Sequence, residues 1–187
     1  MVLIQRPILL ALMFCVLLTG CITAAKAVRL DSPQPARVAV VMEFPDRPEI
    51  GVAPDSTVER INREVQERNL VPTVVDSSEF SKVFETRRTT EQRLGFLRPE
   101  GTSDWVLLLE TQVRFYSLLS GKYRWDISGT VTLVAPDGEQ LSAPLNLAAF
   151  LDFDHQKEAE ALRYAEVAIA ERAGQVVDRL LAGRETP

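Results

Sequence analysis

The chain is poor in reactive side chains: it has two cysteines, Cys15 and Cys21, and one histidine, His155. Both cysteines fall within the first 21 residues, so no disulfide can tie the remaining chain together and its stability has to come from packing. One histidine leaves nothing for a histidine-rich metal centre, and any Ser-His-Asp triad would have to use His155. No Gly-x-Ser-x-Gly elbow, Gly-x-Gly-x-x-Gly turn or phosphate-binding loop is present. Basic residues do not dominate: 21 Lys and Arg stand against 26 Asp and Glu, which argues against a nucleic-acid partner. Long apolar runs are also missing. The longest, Pro7 to Leu18, is about a dozen residues, where a bilayer-spanning helix needs roughly 20.

That short run has a specific setting. Arg6 precedes it and is the only charge before Lys26, and Leu18-Thr19-Gly20-Cys21 follows it. Basic start, apolar middle and small residues before a cysteine are the parts of a secretory signal, in order. The last four residues resemble the lipobox of bacterial lipoproteins. The resemblance implies cleavage between Gly20 and Cys21 and attachment of lipid to the Cys21 sulfur. Several acyl chains on one residue would hold the chain to a membrane, each buried CH₂ contributing ~0.8 kcal/mol. Residue 22 is Ile rather than the Asp that retains such proteins at the inner membrane, so the expected address is the outer membrane, facing the periplasm. Cleavage removes Arg6 and no acidic residue, taking the net charge from −5 to −6.

Four segments are expected: a signal peptide over 1–20, a lipidated Cys21 with a flexible tether over 21–36, a globular domain over 37–183 and an unstructured tail over 184–187. The tether is small, polar and proline-containing, and fully extended it reaches roughly 50 Å. In the domain, Val38–Phe44 reads as a buried strand. Residues 45–55, with prolines at 45, 48 and 54, read as a loop. Ser56 and Glu59 form a capping-box pattern for a helix to about Asn69, and Leu70–Val75 is a second strand. Asp76 and Glu79 suggest a second capped helix, with Phe80, Val83 and Phe84 inward and a polar continuation towards Leu94.

Three strands follow. Trp105–Leu109 is apolar on both faces, and beyond it Thr111, Val113 and Phe115 alternate with Gln112, Arg114 and Tyr116. Leu118–Lys122 reads as a hairpin turn. Tyr123, Trp125, Ile127, Val131 and Leu133 then alternate with Arg124, Asp126, Ser128, Thr130 and Thr132, giving one wet face and antiparallel pairing. Pro136-Asp137-Gly138-Glu139 is a second turn. Leu145, Leu147, Ala149, Leu151 and Phe153 face one way in the last strand. A final helix over 156–182, capped by Asp154 and ended by Gly183, lays Leu162, Ala165, Ile169, Ala173, Val176 and Leu180 on a sheet. The order β-α-β-α-β-β-β-α predicts an α/β (α+β) domain: a single mixed sheet of about five strands with helices packed on it.

Three stretches, Arg37-Val38-Ala39-Val40-Val41, Thr73-Val74-Val75-Asp76 and Gly101-Thr102-Ser103-Asp104-Trp105-Val106-Leu107-Leu108, carry a further resemblance. Over about residues 37–182 the chain resembles a family of periplasmic lipoprotein domains. That family includes the curli-secretion lipoprotein, the lipoprotein activator of penicillin-binding proteins and the amino-terminal domain of the Tol-system propeller protein. The amphipathic membrane hairpins of a curli-type pore are missing, so no pore is implied. The resemblance implies a binding and assembly scaffold, with no catalytic residues to carry over.

Candidate chemistry is thin. Asp152-Phe153-Asp154-His155 has metal-ligand residue types, but Asp154 is wanted as a helix cap and the set is short of ligands. No metal or cofactor is expected. Glu43 and Glu110 sit in apolar strands, and a solvated face or a strand end accounts for them better than an acid–base pair. Trp105 and Trp125 read as core aromatics, and Arg87-Arg88 as a solvated helix face. Two stretches are candidate contact surfaces: Ile50 and Val52 in the proline-stiffened loop, and Leu118 and Leu119 at the hairpin tip. A plain connection in the first case and packing within the domain in the second remain open. The expectation is a non-enzymatic, lipid-anchored accessory that binds another envelope protein, with self-association left open. The alternative is a periplasmic carrier of a small apolar ligand or lipid.

Overall fold

The structure is a computed structural model that describes residues 27–99, 101–119, 121–152 and 158–184. The lipobox residues Gly20 and Cys21, with Phe153, Asp154 and His155, lie outside the described residues. The elements in chain order are β1 (Gln34–Phe44), β2 (Arg47–Val52), α1 (Asp55–Gln66), β3 (Leu70–Val74), α2 (Ser77–Thr86), α3 (Thr90–Leu97), β4 (Trp105–Leu119), β5 (Lys122–Val134), β6 (Gln140–Leu151) and α4 (Glu158–Arg184). They form one mixed sheet, the predicted α+β class, with six strands rather than five.

The sheet runs β2-β1-β4-β5-β6, and β3 pairs with the first half of β1 on the side where β2 pairs with the second half. β1 is parallel to β3 and β4; the β4–β5–β6 meander is antiparallel. The sixth strand is β2, in the segment expected to be a loop. Pro48 does not prevent it, because an edge strand has a side with no neighbour to be short of an N–H. The folded part also begins before Arg37: β1 opens at Gln34, and Val28 and Leu30 already pack on the core.

Alternation along the strands builds two cores, one on each face. Val38, Val40, Leu107, Leu109, Ile127, Val131, Leu133 and Leu145 lie under α1 and α4. Ala39, Val41, Val106, Leu108 and Val134 lie under α2 and α3, with Phe80, Phe84, Leu94 and Leu97. Both tryptophans are buried in the first core, as expected.

The helical segment after Asp76 is two helices rather than one with a polar continuation. Asp76 caps α2 by accepting from the Ser78 N–H at 2.7 Å, and Ser78 holds its carboxyl below the usual carboxylate range. Thr89 then starts α3 with a full capping box to Gln92. The box expected at Ser56 does not form: Pro54 occupies the cap position of α1 and offers no side-chain acceptor.

A cluster of charge joins α1, α4 and the incoming chain. Arg68, 6% exposed, donates Nε and Nη2 to the two Asp178 oxygens at 2.8 Å each, and Nη1 to Glu64. Burial opposes its charge, but the Asp178 and Glu64 partners outweigh it, and the guanidinium stays above its ordinary value. The Val28 N–H donates to the same Asp178 at 3.0 Å.

Gly129 of β5 faces the β4 backbone at Glu110 and Thr111. A Cβ there would stand 1.9 Å from the Glu110 carbonyl oxygen, a backbone atom that cannot swing aside. Gly129→Ala should destabilise the domain by about 1–3 kcal/mol, read by urea unfolding.

Candidate binding face

α2 and α3 cover only one end of their sheet face. Beyond them the same face of β4, β5 and β6 carries Gln112, Arg114, Asp126, Ser128 and Asn146. Register explains the grouping: Gln112, Ser128 and Asn146 lie opposite one another on successive strands, as do Arg114, Asp126 and Ala148. Alternation sets Gln112 and Arg114, and Asp126 and Ser128, opposite the apolar residues of their strands; Asn146 joins them through the pairing with Ser128.

At the covered end sits Arg93 of α3, 2% exposed. Its Nε donates to the Arg87 carbonyl at 2.8 Å and its Nη1 to Glu110 at 2.7 Å. Its Nη2 pairs with Glu43, and the guanidinium lies 5.3 Å from the Phe84 ring centre. The second Glu110 oxygen accepts from the Thr90 hydroxyl at 2.7 Å. Both strand glutamates are thus engaged by α3: Glu43 lies at the end of β1, as expected, but Glu110 lies mid-strand with its side chain 12% exposed, which corrects its expected place on a solvated face or at a strand end. The arrangement suits a clamp between helix and sheet better than proton transfer, because each carboxylate already has a strong donor.

Two recesses flank the clamp. One, about 450 Å³, is lined by Glu43, Pro45, Pro48, Ile50, Arg88 and Gln112 among others. The other, about 280 Å³, reaches Thr90, Glu110, Ser128 and Thr130. A third, about 570 Å³, is the open trough of Gln112, Arg114, Arg124, Asp126, Ser128 and Asn146. Gln112 lines all three, so the recesses adjoin one another along the sheet. In the trough Arg124 pairs with Asp126 at 2.7 Å and stacks on Tyr116 at 4.5 Å. Arg114 lies across from Asp126 but makes no ion pair among the described residues.

The predicted contact residues are separated. Ile50 lines the first recess and packs half-buried on the second core, while Val52, on the edge strand, is 63% exposed. Leu118 and Leu119 are not in the turn: pairing continues through Leu118↔Tyr123 to Leu119↔Lys122, and Gly121 takes a φ of 80°. Their side chains lie outside the described residues. Sequence reasoning missed Arg93, because nothing local shows that a helical arginine meets two strands. Among the described residues no group of acidic, histidine or cysteine side chains could hold a metal ion, and no helix is long and apolar enough to cross a membrane.

No protein-family model and no curated protein matches the chain. Among solved structures it is similar to a minor lipoprotein from Acinetobacter baumannii, at 13% identity and a TM-score of 0.38, covering 79% of this chain and 94% of that one. It is also similar to a protein from Xanthomonas campestris, at 14% identity and a TM-score of 0.41, covering 85% and 90%. A third is a PelC dodecamer from Paraburkholderia phytofirmans, at 10% identity and a TM-score of 0.35, covering 83% and 89%.

Proposed function

We propose that this chain is a lipid-anchored, non-catalytic accessory protein of the bacterial envelope, attached to the outer membrane through Cys21, and that its domain binds another envelope protein through the open face of β4, β5 and β6. The observation that carries the binding reading is the trough itself. A sheet face left half bare, lined by amides and hydroxyls with the unpaired Arg114 at its middle, suits a partner that offers acidic and hydrogen-bonding groups. The lipobox supports the address, and the resemblance to periplasmic scaffold domains supports the class. Engagement of Glu43 and Glu110 by Arg93 supports a non-catalytic role. The recesses among the described residues are lined by charge, which does not suit an apolar cargo.

Two readouts test the reading. Fatty-acid labelling of the full chain in cells should mark the protein, and Cys21→Ser should lose both the label and the membrane fraction. A photo-crosslinking residue at Ser128 should trap an envelope protein, and Arg114→Glu should cut the trapped product about tenfold, which corresponds to ~1.4 kcal/mol, with unfolding unchanged. Labelling without Cys21 would sink the anchor. Trapping that ignores Arg114→Glu would sink the trough.

A further inference from the structure

Among the described residues β6 is an outer strand that pairs only with β5, and its twelve residues, Gln140 to Leu151, include no charged side chain. Outer strands usually carry charge or are covered, because an unpaired row of N–H and C=O groups templates pairing with another chain. The phase of this row can be read. The Pro144 carbonyl accepts from Arg172 Nε at 3.1 Å, so it points away from β5. In an antiparallel ladder a residue's N–H and C=O point to the same side and the side alternates, so Asn146, Ala148 and Phe150 also present theirs outward. Among the described residues nothing bonds to these outward groups. Phe150, 45% exposed, stands on this strand, and α4 adds Tyr164, 60% exposed, one turn before the Ala168 that lines the groove beside β6.

We infer that β6 pairs antiparallel with β6 of a second copy of this chain, about a twofold axis at Ala148. Three features select this occupant and register. An uncharged strand meets its own copy without repulsion. Centring on Ala148 places Asn146 opposite Phe150 and uses every outward N–H in that stretch, while Pro144, which has none, falls opposite Asp152. Arg172, already at the Pro144 carbonyl, then stands level with Asp152 of the second copy, whose carboxylate is 63% exposed and pairs with Lys122 of its own chain at 3.3 Å, so the twofold adds a second cation beside each Asp152. The other outer strands suit this contact less well: β2 carries Arg47 and Glu49, and β3 has only five residues with Pro72 at its middle. The pairing stands on β6 alone and does not depend on what occupies the trough, although it would set two troughs side by side across the axis.

The test is disulfide trapping of the full-length chain in native membranes. Residues facing one another across a twofold crosslink to themselves, so Ala148→Cys should give a covalent dimer that a reductant dissolves. The unsubstituted chain and Thr130→Cys, on β5, should not. Ala148→Pro removes only an outward N–H and spares the β5 ladder. It should convert the detergent-extracted dimer to monomer in light scattering while leaving the melting temperature within a few degrees. No dimer with Ala148→Cys overturns the proposal. So does a product of a different protein's mass, a ladder of higher multimers that marks head-to-tail association, or a dimer that survives Ala148→Pro.

Discussion

Arg93→Met should lower the stability of the domain by about 3–5 kcal/mol in urea unfolding, the usual cost of removing one partner from a buried ion pair. Arg93 is 2% exposed and faces two carboxylates, whose side chains are 31% and 12% exposed. Without the cation, two like charges remain on neighbouring strands, and Glu110 has little water to turn to. Methionine fills much of the volume, so the loss measures charge and hydrogen bonding rather than a cavity. Arg93→Lys should fall between, because a point charge on a flexible stem cannot reach the Arg87 carbonyl, Glu43 and Glu110 together in the fork geometry. Adding Glu110→Gln to Arg93→Met should restore part of the loss, and a double-mutant cycle gives the coupling. A loss under 1 kcal/mol for Arg93→Met would show that α3 is held by Leu94 and Leu97 alone.

How far this cluster and its surroundings were legible depends on how local each signal was. The wet face of β4 and β5 was readable, because Gln112 and Arg114 alternate with Val113, and Asp126 and Ser128 with Ile127, and period two maps directly onto two sides of a sheet. The double burial of Trp105–Leu109 was readable for the same reason. β2 was hidden because Pro45 and Pro48 speak for a loop, and only the position of a strand within its sheet decides whether a missing N–H matters. The break between α2 and α3 was written in Thr89 and Gln92, but Arg87 and Arg88 before them lack the apolar spacing that would have shown one helix ending. Arg93 could not have been found locally. Its partners lie 17 and 50 positions away in the chain, and its burial exists only once β1 and β4 are side by side. The trough is an intermediate case: its residue types were visible, but that α2 and α3 stop short of it was not.

Asp178→Ala should cost about 3–5 kcal/mol and also free the first folded residues, two effects that a simple packing defect would not produce together. The carboxylate holds Arg68 by both oxygens and accepts the Val28 N–H, so one substitution undoes the α1–α4 link and the docking of the incoming chain. Arg68 would keep Glu64 and the Glu64 carbonyl but lose its bidentate partner while 6% exposed. Leu30 is held beside it by the Arg68 carbonyl and the Asn69 side chain, so release should spread along residues 28–30. The measurement is tryptic cleavage after Arg29 under native conditions, expected to be much faster in Asp178→Ala while cleavage within the sheet stays slow. Asp178→Asn keeps one acceptor oxygen for the Val28 N–H and Arg68 Nε but turns an amide N–H₂ toward Arg68 Nη2, so it should cost less than Asp178→Ala while still losing the charge and one hydrogen bond. Gly174→Ala attacks the same place sterically, its Cβ falling 2.7 Å from Arg68 Nη2 and 2.9 Å from a Glu64 oxygen. Side-chain ends can move where backbone cannot, so that loss should have the same sign and a smaller size. If Asp178→Ala unfolded the domain more readily but left the Arg29 site protected, the chain before β1 would be held by the apolar contacts of Val28 and Leu30 rather than by the clamp.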